Sequence, residues 1–302
     1  MQGYRPGRKK MPICPRHSSQ WMYQGSAYGF AGEVERPFRH VIPSQAATVL
    51  GVHGGRGQDR VENFKVEGVV SFDSASVEVG GSFDDCHHRH TSYASSTVEN
   101  FNMLNVVTAD KIVSRVAIYS PKLNEPGGYT FNVIGSHFDN LRIAGHKVDV
   151  KLATHIFREH DSHEKIANAH KQARFDQWLL GSKLGGLNNK ELEKLEDDYH
   201  ALGGMSQVVE AWKQTGNKRS TDNLSFSLLN HIKIEDHAGK DTDLIGYGSI
   251  ICIPKFGVVR LAEITVGKHC VSLNMLRVDM CSTGTGGGGA GGASGGGTMP
   301  GH

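Results

Sequence analysis

Seventeen histidines stand in 302 residues, and the densest group is Asp84-Asp85-Cys86-His87-His88-Arg89-His90. Thiolate, imidazole and carboxylate are the ligands that zinc, copper and nickel prefer. Cys86, His87, His88 and His90 are therefore candidate ligands for zinc or another transition metal, with Asp84 and Asp85 as helpers. A metal held there would activate water for hydrolysis. Successive residues of a strand point to opposite faces, so only a loop turns all of them onto one ion. Gly80-Gly81-Ser82, just upstream, suits a loop. Without convergence the same residues form a polar, histidine-rich hairpin tip.

A second histidine group is His160-Asp161-Ser162-His163, followed by His170. The zincin helix needs two histidines four apart. His163 and His170 are seven apart, so on a helix they lie about 10 Å apart along its axis. One zinc with bonds near ~2 Å does not reach both. His160 and His163, three apart, are the pair able to chelate together.

The third group is Gly51-Val52-His53-Gly54-Gly55-Arg56-Gly57. Glycine-rich loops cradle phosphates, but the Walker pattern ends in Gly-Lys-Ser/Thr and here Gln58-Asp59 follow. A hairpin needing positive φ is the simpler reading, with Gly51, His53, Gly54, Gly55, Arg56 and Gly57 offered as a contact surface. Nucleophilic chemistry finds no strand–G-x-S-x-G–helix elbow. Ser136-His137 are neighbours in sequence, which is not a triad. Glu33/Glu35, Asp84/Asp85 and Asp197/Asp198 are equally eligible as paired carboxylates. Cys14, Cys86, Cys252, Cys270 and Cys281 are odd in number and form no C-x-x-C, against a disulfide scaffold or zinc ribbon.

Bulk charge narrows the partners. Lys+Arg total 33 against 31 Asp+Glu, a net +2, so bulk charge does not make this a nucleic-acid binder. No apolar run approaches ~18 residues, so no helical membrane span is expected. The basic start, with Arg5, Arg8, Lys9, Lys10 and Arg16, lacks the apolar stretch of a secretory signal. That absence points to the cytoplasm.

These groups need elements to position them. Residues 1–30, rich in Gly, Ser, Pro and basic residues, read as a flexible tail. Residues 31–280 read as one β-rich domain with a helical insertion at about 153–220, and 281–302 as a disordered tail. That last segment has 11 Gly in 22 residues and no charged side chain, too little to offset its ordering entropy. Period-two alternation marks strands. Leu141 and Ile143, then Val148, Val150 and Leu152, flank Ala144-Gly145-His146-Lys147 as a hairpin. Tyr129, Phe131 and Val133 alternate. Ile250–Ile253 and 258–266 flank Pro254-Lys255-Phe256-Gly257. Val70 and Phe72 share one parity while Val77 and Val79 have the other, so a bulge near 73–76 is expected. A second bulge is expected between Met275 and Leu276. Helices are expected from about His160 to Leu180, after Asn188, and after Ser206. The predicted fold is an antiparallel β-sandwich or barrel interrupted by helices.

Four segments carry a resemblance. They are 32–43 (Gly32-Glu33-Val34-Glu35 to Pro43), 69–82 (Val69-Val70-Ser71-Phe72-Asp73 to Ser82), Val98-Glu99 with Leu104-Asn105-Val106-Val107-Thr108-Ala109-Asp110, and 135–145 (Gly135-Ser136-His137-Phe138-Asp139-Asn140-Leu141-Arg142-Ile143-Ala144-Gly145). Together they resemble a group of uncharacterised bacterial proteins of acidobacterial type. The Val106–Asp110 and Leu141–Gly145 segments are remotely similar to choice-of-anchor surface proteins, which implies a surface location. Neither resemblance implies an activity or site residues.

The functional expectation is a non-enzymatic β-rich protein for binding or assembly, a homo-oligomer if sheet edges add strands. The alternative is a metal-binding protein or metal-dependent hydrolase using the histidines. Oligosaccharide binding on the sandwich is a third reading. Trp178 and Trp212 fall in the helical zone, so its stacking platform would use Tyr or Phe.

Overall fold

The computed structural model describes residues 22–34, 40–66, 68–122, 128–171, 223–235, 244–247, 249–253, 256–282 and 284–298. Two antiparallel sheets pack face to face. Sheet A holds β1 (Met22–Val34), β2 (His40–Val49), β11 (Asn223–Ser227), β13 (Ile245–Tyr247), β14 (Ile250–Ile253), β15 (Gly257–Gly267), β16 (Cys270–Ser282) and β17 (Gly284–Thr298). Its order is β13-β14-β15-β16-β17-β1-β2, with β11 also on β15. Sheet B holds β3 (Gly55–Val66), β4 (Val70–Asp84), β5 (Arg89–Met103), β6 (Val107–Tyr119), β7 (Thr130–Asn132), β8 (His137–Asp139), β9 (Arg142–Ile143), β10 (His146–Leu152) and β12 (Leu229–Glu235). Its order is β12-β10-β9-β6-β5-β4-β3, with β7 and β8 also on β6. The fold is the expected antiparallel sandwich; the barrel alternative is set aside because the two sheets do not join into one ladder.

The predicted hairpins stand where alternation put them. Ile143 pairs with His146 across Ala144 and Gly145, both at positive φ (50° and 84°), as a two-residue hairpin turn requires. Ile253 pairs with Gly257. The inner faces bury Phe30 of sheet A against Phe64, Phe72 and Phe101 of sheet B, each at a centroid distance of 6.2 Å. At the far edge the chain crosses between sheets at Leu228, which is fully buried. Its N–H donates to the Ala262 carbonyl (2.9 Å), and its carbonyl accepts from Ala153 (2.7 Å).

The parity changes take a form the sequence did not show. Buried residues switch from Val70 and Phe72 to Ala75, Val77 and Val79 on β4, and from Ala109 to Ile112 on β6. Pairing does not slip: Glu62 faces Ser74 and Phe64 faces Phe72, while Glu99 faces Lys111 and Phe101 faces Ala109. From β3 to β6 no strand carries an extra residue. The neighbouring strands flip together along a transverse row, Asn63, Asp73, Asn100, Asp110 and Asn140. The three asparagines have φ of 54°, 52° and 48°. Asn100 Nδ2 donates to Asp73 (2.7 Å), and Asn140 Nδ2 donates to Asp110 (3.2 Å). Asparagine visits this left-handed region at low cost. Sheet A has a matching row: Ala262 (φ 52°) lies across from Met275, and Ala46 (φ 50°) across from Gly29. This explains the second parity change, between Met275 and Leu276.

Two expected boundaries are corrected. Residues 22–30 are not tail but part of β1, whose glycines mark close sheet contact: a Cβ on Gly29 would stand 2.7 Å from that of Ala75. Residues 284–298 form β17, ten of its fifteen residues glycine, paired with β16 on one side and β1 on the other. The entropy cost of ordering glycine is offset by ladder hydrogen bonds on both edges. The β domain therefore reaches beyond 31–280 at both ends. In the middle segment, α1 (Ile156–Glu159) and α2 (His163–Lys171) are present, and Ile166 is buried. The helices expected after Asn188 and Ser206, and the stretch to Leu180, lie outside the described residues, as do residues 1–21 of the basic tail.

Candidate functional site

The histidine-rich group forms the β4–β5 hairpin tip. Cys86, His87 and His88 are exposed there, with His88 at a φ of 49°. Asp84 organises the turn: its Oδ1 accepts from the backbone N–H of Cys86 (3.0 Å) and His87 (3.2 Å), and its Oδ2 lies 2.7 Å from His87 Nδ1. The His87 hydrogen bond holds the Asp84 carboxyl below its usual range. His90 turns away from the tip. Its Nδ1 lies 2.7 Å from the Tyr23 hydroxyl, and its ring packs edge-on to Phe83 and Tyr23. Burial pushes the His90 pKa down.

The glycine turn reaches the same place. Gly51, His53 and Gly55 are exposed on the crossing from β2 to β3, with Gly54 and Gly55 at φ of 82° and 101°. A Cβ on Gly54 would lie 3.0 Å from the Tyr23 ring and one on Gly81 closer still. Tyr23 thus joins two segments that the sequence singled out separately. Gly57 packs against Thr48, and Arg56 Nε reaches Glu78 at 3.0 Å.

His160 and His163 stand elsewhere. His90 exchanges hydrogen bonds with Ser120 at the end of β6. On the far side of β7, Phe131 donates to the Asp161 carbonyl (2.7 Å). Three strand spacings of ~4.8 Å separate His90 from this segment, well beyond metal-bond length. Among the described residues no group of three or more His, Cys, Asp or Glu side chains is placed to hold one metal ion.

A different set does converge, on the outer face of sheet B. The ladder aligns Arg56, Gly80, Tyr93, Ala117 and Asn132 in one row across β3 to β7. The next row aligns Gln58, Glu78, Ser95 and Arg115. Ala117 is a small floor surrounded on four sides. Tyr93 and Asn132 flank it on neighbouring strands, ~4.8 Å away, and Arg115 and Tyr119 stand two residues either side on β6, ~6.8 Å away. These residues with Glu78, Ser95 and Ile134 line an open groove of about 340 Å³, at the small end of the ~300–1,000 Å³ range of ligand sites.

Hydrogen bonds fix its walls. The Tyr93 hydroxyl donates to Glu78 Oε1, which also receives Arg56. The Tyr93 hydrogen bond is the largest cause holding the Glu78 carboxyl low, with Arg56 and Arg115 adding to it. Burial, then the Glu78 contact, pushes the Tyr93 phenol up. The Arg89 guanidinium lies 4.2 Å above the centre of the Tyr119 ring, a cation–π contact. The sequence reading named Arg56 of this set and missed Glu78, Tyr93, Arg115, Tyr119 and Asn132. Their signal is the outward parity of β5 and β6, with Tyr93 and Ser95 on one strand and Arg115, Ala117 and Tyr119 on the next. Only the register joins them.

A family model described as a domain of unknown function (DUF8256) matches residues 21–267, ending with β15. No curated protein and no solved structure matches the chain. The match covers sheet B, sheet A up to β15 and more than half of the chain, and the protein belongs to this DUF8256 family.

Proposed function

We propose that this protein is a non-enzymatic binding module whose ligand sits in the groove over Ala117. The carrying observation is the register that sets Tyr93, Asn132, Arg115 and Tyr119 around one small residue on a strand paired on both sides. Such a site combines aromatic surface with a few fixed polar groups, the usual composition of a small-molecule site. It is held by strands rather than loops, so it is preorganised and loses little entropy on binding. Its chemistry favours binding over turnover. Glycoside cleavage uses two carboxyl groups ~5–9.5 Å apart, whereas the groove lining carries one, Glu78, already engaged by Tyr93 and Arg56.

The test is a titration of the full chain, followed by NMR, with a panel of neutral sugars, acidic sugars and aromatic carboxylates. Ala117→Trp plugs the floor from the outer face, and circular dichroism checks that the variant keeps its sheets. We expect at least one compound to bind, with affinity falling more than tenfold in the plugged variant. A panel without a binder, or binding indifferent to the plug, overturns the proposal.

A further inference from the structure

We infer that the groove takes an acidic sugar unit, its ring against Tyr93 and Tyr119 and its carboxylate on Arg115. This rests on the binding reading above and adds the class of ligand. The charge argument begins with what each group already does. Glu78 is neutralised locally by Arg56 at 3.0 Å and by the Tyr93 hydroxyl. Arg115 is different. Its backbone N–H and carbonyl are engaged by the Ser136 hydroxyl, but its guanidinium makes no hydrogen bond or ion pair within the described residues and is exposed at one end of the floor. Arg89, stacked on Tyr119, adds a second positive charge at the other end. The field over Ala117 is therefore positive, although the whole chain is near neutral at +2. A guanidinium fork with its donors unspent matches a carboxylate bidentately.

The shape argument selects the rest of the ligand. Two phenol rings, the Asn132 amide and the Ser95 hydroxyl suit a ring with C–H faces and hydroxyl edges. A volume of about 340 Å³ holds a small unit and leaves the opening for a chain to continue. An extended peptide would seek a strand edge, but β4, β5 and β6 are each paired on both sides here. Phosphate sites draw on clustered backbone N–H groups, and on this floor those groups are spent in the ladder.

The experiment uses calorimetry on the full chain. The probes are trisaccharides of galacturonate, glucuronate, mannuronate and guluronate, their methyl esters, the neutral parent sugars and adenosine monophosphate. At least one uronate should bind, with about tenfold or greater preference over its ester, the size of one charge-assisted hydrogen-bonded contact. Arg115→Ala should remove that preference, so that acid and ester bind alike, and Ala117→Trp should abolish the binding of both. Equal binding of acid and ester, or a preference unaffected by Arg115→Ala, overturns the acidic-ligand inference and leaves the binding site standing. Tighter Arg115-dependent binding of the nucleotide also overturns it. Binding of none of the sugars overturns it too. A panel binder of another class that the plug blocks then keeps the groove as a site, and the lack of any such binder removes both readings.

Discussion

The ring of Tyr93 lies over Gly80, its register partner on β4, so closely that any side chain at Gly80 would occupy the ring's space. Glycine here is a demand of packing: its φ is not among the positive ones. An aromatic ring covering a strand glycine restores the packing that glycine lacks. It also aims the Tyr93 hydroxyl at Glu78. Gly80→Ala should displace the ring, break that hydrogen bond and deform the groove. We expect ligand affinity in the groove to fall at least tenfold, with a stability loss of about 1–3 kcal/mol from overpacking. Titration beside a urea melt checks both; unchanged affinity would show that the ring position is irrelevant to binding.

His90 gives a pH dependence with a definite sign. Burial lowers its folded pKa, so the unfolded chain, with an ordinary value near ~6.5, binds the proton first. Its stabilising contribution is present above about pH 6.5 and is lost as pH falls through 6.5 toward the lower folded value. The depressed carboxyls of Glu78, Asp84 and Glu99 act only in the acid range near and below ~4.3. Urea midpoints between pH 7.5 and 5.5 should therefore drop in the natural chain. In His90→Phe, whose ring keeps the Phe83 and Tyr23 packing, that slope should flatten. An equal slope in the variant would assign the effect to another group.

Asn100 tests the transverse kink. At φ 52°, Asn100→Ala should cost about 1–2 kcal/mol by urea denaturation, from the left-handed backbone and the lost bond to Asp73. Asn100→Gly loses the same bond but accepts the backbone, so it should cost measurably less. Equal losses in the two variants would remove backbone strain from the account.

Gly29 and Ala75 test the sheet spacing. Gly29→Ala should destabilise by about 1–3 kcal/mol, because the new methyl would stand 2.7 Å from the Ala75 Cβ. Ala75→Gly opens that space, so the double variant should lose less than the sum of the two single ones. Strict additivity in thermal melts would mean that the methyls do not meet.

Residues 284–298 carry the largest difference between composition and fold. As strand β17, paired on both edges, their amides should exchange with solvent at least a hundredfold more slowly than those of the free 284–298 peptide. Hydrogen–deuterium exchange read by mass spectrometry decides it; exchange at the free-peptide rate would restore the tail.

Hairpins were legible because their signals are local. Ala144-Gly145 carries its own turn, and Val148, Val150 and Leu152 carry their own alternation. β1 and β17 were misread for one physical reason. Where two sheets approach closely, small residues replace the apolar alternation that identifies a strand, and glycine and alanine then read as a tail. The parity breaks at 73–76 and at Met275 were visible, but the shared row of Asn63, Asp73, Asn100, Asp110 and Asn140 was not, because each asparagine is ordinary within its own strand.

The sequence alone determined the antiparallel, mainly β class, the main hairpins and the near-neutral charge, since composition and period two are properties of the chain itself. It also marked His90, the glycine turn and Arg56 as unusual. Tertiary structure decided that His90 turns inward to Tyr23, and that His160 and His163 lie on the far side of β7. It also decided that Glu78, Tyr93, Arg115, Tyr119 and Asn132 meet around Ala117. Those residues come from four strands, and what places them together is the pairing register, which no single strand encodes.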